Sequence, residues 1–182
     1  MTTVAAEKYQ LWPFVKLDDG SYSIPDILLN TVYLDLLKEE RVDATFYGGC
    51  IKEFEDFLSF VKDPTNYFVF VVDAENRSFV CIAWLNGVMN NSAFSHFTSI
   101  GRNSYKPQIG KLVLDYWKAT GVPTVLVGIT PETHKLAIRL AVNLGYKTLG
   151  VIPNLCYVER DKKSVGGIIS YYLFGGDKNG EC

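Results

Sequence analysis

Histidine is almost missing from this chain. His96 and His134 are the only two, and no helical spacing pairs them. A zinc-hydrolase site, which needs clustered nitrogen ligands, is therefore excluded, and no metal site is expected. The four cysteines, Cys50, Cys81, Cys156 and Cys182, show neither metal-type spacing nor a dense framework. They read as free thiols of a reducing compartment, with Cys182 the one expected to be exposed. Charge of one sign is also lacking. Eighteen Lys and Arg stand against twenty Asp and Glu, a net charge of −2. No basic run is long enough for a nucleic-acid footprint. No apolar run approaches the length of a membrane span, and MTTVAAEKYQLWPF lacks the basic-then-apolar layout of a signal peptide. The expectation is a cytoplasmic protein with no nucleic-acid or membrane partner. The serine-hydrolase elbow, the phosphate loop of nucleotide hydrolases and the dinucleotide fingerprint are all missing.

Aromatic residues are plentiful, with eleven Tyr and eleven Phe, so the core should be rich in rings. The length of 182 residues suits one domain with a sizeable core, and no internal repeat or linker divides it. Residues 1–24 read as an N-terminal arm with one short strand and a turn at Asp18-Asp19-Gly20. Trp12-Pro13-Phe14 is too apolar for a free tail. Residues 25–182 read as the single domain. Pro25 opens a helix to about Glu40, with Ile27, Leu28, Val32, Tyr33 and Leu36 on one side. An irregular segment, Val42 to Gly49, leads to a second helix, about Cys50 to Lys62. Tyr67–Val72 and Ser78–Leu85 form an antiparallel pair around Asp73–Arg77. A loop, Asn86 to Asn91, precedes a third strand, Ser92–Ile100. After a polar loop, Pro107 starts a helix that Gly121 ends. After Pro153 a long loop leads to a last strand, about Gly166–Phe174.

The stretch from Pro123 to Tyr146 organises the rest. Thr124–Ile129 is a short apolar run suited to a strand buried on both faces. Thr130 offers an N-cap and Pro131 a first helical turn. Leu136, Ala137, Leu140, Ala141 and Leu144 then share a helical face, and Gly145-Tyr146 reads as a glycine stop with an apolar residue behind it. The strand-like Lys147–Ile152 follows. Ser92–Ile100, the helix from Pro107 and Thr124–Ile129 make a strand–helix–strand crossover, expected to be parallel and right-handed.

A strand ending in GITP, a helix patterned x-x-x-A-x-x-L-A-x-x-x-G-Y and a strand closing on GVIP resemble the GCN5-related N-acetyltransferase (GNAT) superfamily. The family's usual helix is N-x-x-A-x-x-x-Y-x-x-x-G-F. Ala137, Gly145 and Tyr146 match it, while His134 stands in the asparagine position and Ala141 in the tyrosine position. The resemblance covers about Tyr67 to Phe174. It implies a mixed α/β fold: a strongly twisted sheet with helices on both faces, antiparallel early and parallel where Ser92–Ile100 meets Thr124–Ile129.

An open sheet binds ligands at the carboxyl ends of parallel strands beside a helix start, where unpaired N–H groups suit a phosphate. The resemblance places the pyrophosphate of coenzyme A there. The family's loop, Q/R-x-x-G-x-G/A, falls in register with Tyr105-Lys106-Pro107-Gln108-Ile109-Gly110. Only its last glycine matches, and a Cβ at Gln108 narrows the cradle. The residues implied for the cofactor are Ser99, Ile100, Arg102, Lys106, Gln108, Ile109, Gly110, Lys111 and His134. His96, in the strand before this loop, resembles the family's general base by position. A histidine near its ordinary pKa suits that task, and a buried, satisfied histidine is the alternative. Ala141 cannot donate the proton that the family's tyrosine gives, so another donor (Tyr47, Tyr105 and Tyr157 are the candidates) or water is needed, or the fold does not catalyse. Glu53 and Glu55 read as a solvated helix face.

Two functions follow. One is an acetyl-CoA-dependent N-acyltransferase acting on a small-molecule or protein amine. The other is an inactive binding or assembly module of the same fold, self-associated or with an assembly partner. AWLN, AFSHF and GITP also resemble GNAT-like proteins of bacterial viruses and prophages.

Overall fold

A computed structural model describes residues 8–101, 106–121 and 123–175. Seven strands form one sheet: β1 (Tyr9–Pro13), β2 (Tyr67–Asp73), β3 (Ser78–Met89), β4 (Ser92–Ser99), β5 (Val125–Pro131), β6 (Lys147–Val158) and β7 (Lys163–Leu173), in the order β1-β2-β3-β4-β5-β7-β6. Among the described residues five α-helices flank it: α1 (Asp26–Lys38), α2 (Val42–Thr45), α3 (Phe54–Lys62), α4 (Pro107–Ala119) and α5 (Lys135–Asn143). The pairs β1–β2, β2–β3, β3–β4, β5–β7 and β6–β7 are antiparallel, and β4–β5 is parallel.

Alternation along the central strands sorts the core into two layers. Phe68 and Phe70 of β2 and Ile82 and Trp84 of β3 face α1 and α3, where Leu29, Val32, Leu36, Phe57 and Val61 close the layer. Val69 and Val71 of β2 and Cys81, Ala83 and Leu85 of β3 face α4, with Ile109, Val113, Leu114 and Trp117. The first layer holds the rings: Phe46, Phe60, Phe68 and Trp84 contact one another by stacking and edge-on approaches with centroids 5.3–5.9 Å apart. Glu53 and Asp56 form a reciprocal cap at the start of α3, so Glu53 is spent on the helix end.

Several local expectations shift. The buried side of α1 uses Leu29, and Ile27 is exposed. The segment Val42–Gly49 contains the short α2. The expected loop at Asn86 is β3 continuing to Met89, with Asn90 left-handed in a tight reversal. The long loop after Pro153 is a hairpin, β6 and β7 joined by a 3-10 turn at Glu159–Asp161. Thr130 and Pro131 do not start a helix. They extend β5, because Thr130 and Pro131 pair with Ile168 and Gly167 of β7 and the Glu132 N–H bonds the Gly166 carbonyl. The α5 helix therefore begins at Lys135, with His134 as its N-cap. Its end is as read from sequence. Gly145 has φ +95°, its N–H bonds Val142, and the Tyr146 N–H bonds Ala141, a Schellman stop. The arm contributes edge strand β1, and Phe14 stacks on Tyr22.

Core and surface positions on the first layer's helices should separate sharply. Phe57→Ala removes a fully buried ring that packs on Tyr33 and Phe46, and should cost about 3–5 kcal/mol. Leu34→Ala, on the exposed side of α1, should stay within about 0.5 kcal/mol. Urea midpoints at constant m-value check both.

Candidate functional site

The parallel strands β4 and β5 stay in register for only three residue pairs, Ser92–Val125, Ala93–Leu126 and Phe94–Val127. Beyond Phe94 each strand keeps its other neighbour. β4 pairs with β3 through Ser99, and β5 pairs with β7 through Pro131. A gap opens between them, forming a cavity of ≈ 100 Å³. It is continuous through shared lining residues with a ≈ 410 Å³ groove between the end of β4 and the start of α5.

Backbone polarity follows from the ladder. The Ile100 N–H bonds the Val80 carbonyl. In an antiparallel ladder this directs the backbone groups of Phe94, His96, Thr98 and Ile100 to β3, and those of Ser95, Phe97 and Ser99 into the gap. Arg41 confirms the direction at the groove end, donating from Nη1 to the Ser99 carbonyl (2.8 Å) and to Ser99 Oγ (2.6 Å). The guanidinium also pairs with Glu39 (2.9 Å).

At the inner end of the gap, Ser95 Oγ lies 2.8 Å from the Tyr146 hydroxyl and donates to the Val127 carbonyl at 3.3 Å. Ser95 has one proton, so Tyr146 is the donor of the pair. Burial holds the Tyr146 phenol far above its ordinary pKa, against the opposing Ser95 hydrogen bond. Gly128 and Ser170 close this end, and a Cβ at Gly128 would meet Ser170 Oγ at 2.9 Å. Ala137, Leu140, Ala141 and Leu144 of α5 form one wall.

The α1–α3 side of the cavity carries rings. The His96 imidazole stacks on Trp84, centroids 4.5 Å apart and 6° from parallel, and its Nε2 lies 3.0 Å from Asn86 Oδ1. Desolvation lowers the His96 pKa to about 4. It is neutral at pH 7 and a weak base, unlike the near-neutral titration expected from sequence. Trp84 is 3% exposed, and its Nε1–H is buried without a partner among the described residues. Tyr47 and His134 meet edge-on at 6.4 Å. Burial, with Cys156 adjoining, pushes Tyr47 up to about 12. Burial and then the nearby Arg160 lower His134.

The residues expected at the cofactor are thus dispersed. Ser99 and His134 line both cavity and groove, and His96 lines the cavity. The Ile100 side chain packs in the α1–α3 core. Lys106 caps no N–H with its side chain and donates instead to the Tyr9 hydroxyl (3.1 Å). Ile109 is buried under α4, and Gln108 and Lys111 are exposed. Gly110 is a packing glycine, since a Cβ there would meet Leu144 Cδ1 at 2.5 Å. Arg102 and Tyr105 lie outside the described residues, as does Cys182. Of the candidate tyrosines, Tyr47 lines the cavity, whereas Tyr157 is 44% exposed elsewhere. Ser95 and Tyr146 were not anticipated. From sequence Tyr146 reads as the apolar residue behind a glycine helix stop, and nothing in one-dimensional spacing places its hydroxyl on Ser95.

Solved structures share this architecture. A ribosomal-protein-S5-alanine acetyltransferase from Vibrio fischeri superposes with a TM-score of 0.69 at 12% identity, over 98% of this chain and 100% of that one. The fold is that of the GNAT N-acyltransferases. A ribosomal L7/L12 alpha-N-protein acetyltransferase in complex with coenzyme A gives 0.73 at 8% identity, over 94% and 97% of the two chains. Spermidine N-acetyltransferase from Vibrio cholerae, in complex with CoA and spermine, gives 0.67 at 13%, over 92% and 96%. No family model and no curated relative matches the sequence. Among the described residues, no helix is long and apolar enough to cross a membrane.

Two outcomes are expected. His96 binds its proton less readily folded than unfolded, so its contribution to stability is full above pH 6.5 and is lost as pH falls toward 4. The loss should be about 2–3 kcal/mol, read as a falling urea midpoint that His96→Gln flattens. At the inner end, Ser95→Ala strands the buried Tyr146 hydroxyl and should cost about 1–3 kcal/mol. In Ser95→Ala/Tyr146→Phe the two losses should sum to less than their separate values, a coupling of at least about 0.5 kcal/mol in a double-mutant cycle.

Proposed function

We propose that this protein is an acyl-CoA-dependent N-acyltransferase that transfers an acetyl group to an amine. The observation that carries this reading is the gap between β4 and β5, with main-chain donors of β4 turned into it and a proton-bearing hydroxyl pair at its inner end.

The chain suits the ligand's thiol arm. An extended amide-containing arm needs backbone partners along a strand, and Phe97 and Ser99 present them. The groove that continues the cavity has Arg41 and Lys135 as its charged lining residues. The first turn of α4 carries no acidic residue and no side-chain cap, which suits an anion. Ser99, Phe97, His134 and α5 would hold the arm, and Gln108 with Lys111 would lie toward the phosphates. Acetyl-CoA would supply the activated acyl thioester.

The protein's own groups divide the remaining work. A single N–H of β4, that of Phe97, would stabilise negative charge developing on a carbonyl oxygen, a role that needs no particular side chain, with Ser99 left to the arm. Ser95 Oγ donates across the gap to the Val127 carbonyl and accepts from Tyr146; in this reading its proton passes to the departing thiolate, Tyr146 resupplies it, and the proton shed by the attacking amine restores the pair. This pair replaces the tyrosine missing at Ala141. His96 is a positioning residue in this reading: neutral, stacked on Trp84 and tied to Asn86, it shapes the wall on the amine's side.

Titration calorimetry with acetyl-CoA should show saturable binding, and no heat at millimolar ligand would refute the reading in favour of the binding-module alternative. Ser95→Ala should lower kcat by about 10²-fold, the low end of acid–base contributions, with acetyl-CoA affinity retained. An unchanged kcat would remove the hydroxyl pair from the mechanism.

A further inference from the structure

We propose that β6 is a self-association surface: two copies of this chain meet along its outer edge, side by side about a two-fold axis. The proposal goes beyond the acyltransferase reading and does not depend on it.

The position of the strand is the first support. β6 ends the strand order, paired with β7 on one side and with no strand on the other among the described residues. Its first nine residues, Lys147 to Leu155, are all exposed. A strand that packs on a core hides every second side chain. Here both faces are open. A Cβ at Gly166 would meet Val151 Cγ1 at 2.8 Å, and one at Gly167 would meet Leu155 Cδ2 at 2.7 Å. Successive residues of a strand point to opposite faces, so Val151 and Leu155 lie on opposite faces of the sheet. A helix or sheet laid on one face would leave the other uncovered. A strand set beside β6 flanks the side chains of both.

Composition is the second support. From Thr148 to Val158 the strand carries no charged residue, while Leu149, Val151, Ile152, Leu155 and Tyr157 are 40–69% exposed. Edge strands that face water are ordinarily guarded by charge, because an uncharged apolar edge invites pairing. The exposed apolar residues of α1 differ in this respect. Ile27, Leu34 and Leu37 lie beside Asp26, Asp35 and Lys38 in the same helix.

Symmetry and area identify the partner as a second copy. In a two-fold contact each residue meets itself or a near neighbour of its own strand. A charged strand would meet like charge there, whereas TLGVIPNLCYV meets only apolar and neutral groups. Complementary charge is a main device for selecting a foreign partner, and this strand offers none. The exposed parts of the five side chains amount to roughly 500 Å² per copy, or roughly 1,000 Å² for a pair, the size at which an interface becomes specific. Register irregularities after Thr148 and after Ile152 confine a shared ladder to the few residues around Gly150–Ile152, so side chains carry most of the contact. The same hairpin adjoins the site, since Cys156, Val158 and Val165 pack with Tyr47, which lines the cavity.

Sedimentation equilibrium of the full chain, from micromolar to sub-millimolar concentration, tests the proposal. The expected mass is twice 20.4 kDa. Leu149→Lys/Ile152→Lys sets lysine against lysine and should weaken association about 100-fold or more, since the two-fold axis applies each change twice. Its near-ultraviolet circular dichroism should stay that of the folded chain, because both positions are exposed. Ile27→Lys, at a 70% exposed position of α1, should leave the pair intact. Hydrogen exchange of the unaltered chain gives a second reading: amides of Thr148–Ile152 should slow as concentration rises, and those of α1 should not. A wild type that stays monomeric, an open-ended series of larger masses, or a pair that survives Leu149→Lys/Ile152→Lys would each overturn the proposal. So would exchange along Thr148–Ile152 that ignores concentration, which decides the matter even where the lysine variant does not fold.

Discussion

The separation of β4 from β5 is the constraint on which the rest of this structure depends. Each strand is committed elsewhere, β4 to β3 through Ser99 and β5 to β7 through Pro131. The two ladders diverge after three shared pairs. A sheet interior normally satisfies its own backbone groups, because an unpaired buried N–H is costly. Here the geometry leaves a row of them facing a gap, and a ligand with amide groups can meet that need. The surrounding features serve this opening. The α5 helix roofs it, Gly110 lets α4 approach Leu144, and the small Ala137 and Ala141 leave room.

The layer of rings on the α1–α3 side ties stability to the site. Trp84 stacks on Phe46 and Phe68 in the core and on His96 at the cavity wall. Core packing thus determines the environment of the histidine. Removal of solvent, more than any nearby charge, depresses its basicity. The same low-polarity surroundings keep the Tyr47 and Tyr146 phenols protonated. A site walled by neutral groups holds protons firmly and accepts them poorly.

Patterns of period two and period 3.6 made much of the fold legible. The strand–helix–strand from Thr124 to Ile152, the glycine stop at Gly145 and the alternation that puts His96 with Phe94 and Thr98 are local properties, encoded over a few residues. Errors arose where a distant partner overrode a local signal. Thr130-Pro131 carries good helix-start chemistry, yet pairing with Gly167 and Ile168 keeps it in a strand. Gly110 stands in the position of a phosphate-loop glycine, and its packing against Leu144 is a further contact that spacing along the chain does not show.

The sequence by itself determined the class of fold, the broad order of its elements and the parallel crossover, because each is written in residue type and spacing. Only the tertiary structure decided which groups face the gap. The Tyr146 hydroxyl reaches Ser95 across 51 residues of chain, and Asn86 and Trp84 enclose His96 through strand pairing. Burial and hydrogen-bond partners decide whether a histidine is a base or a wall, and whether a tyrosine is a helix stop or a proton donor. These are properties of assembled surfaces rather than of the one-dimensional chain.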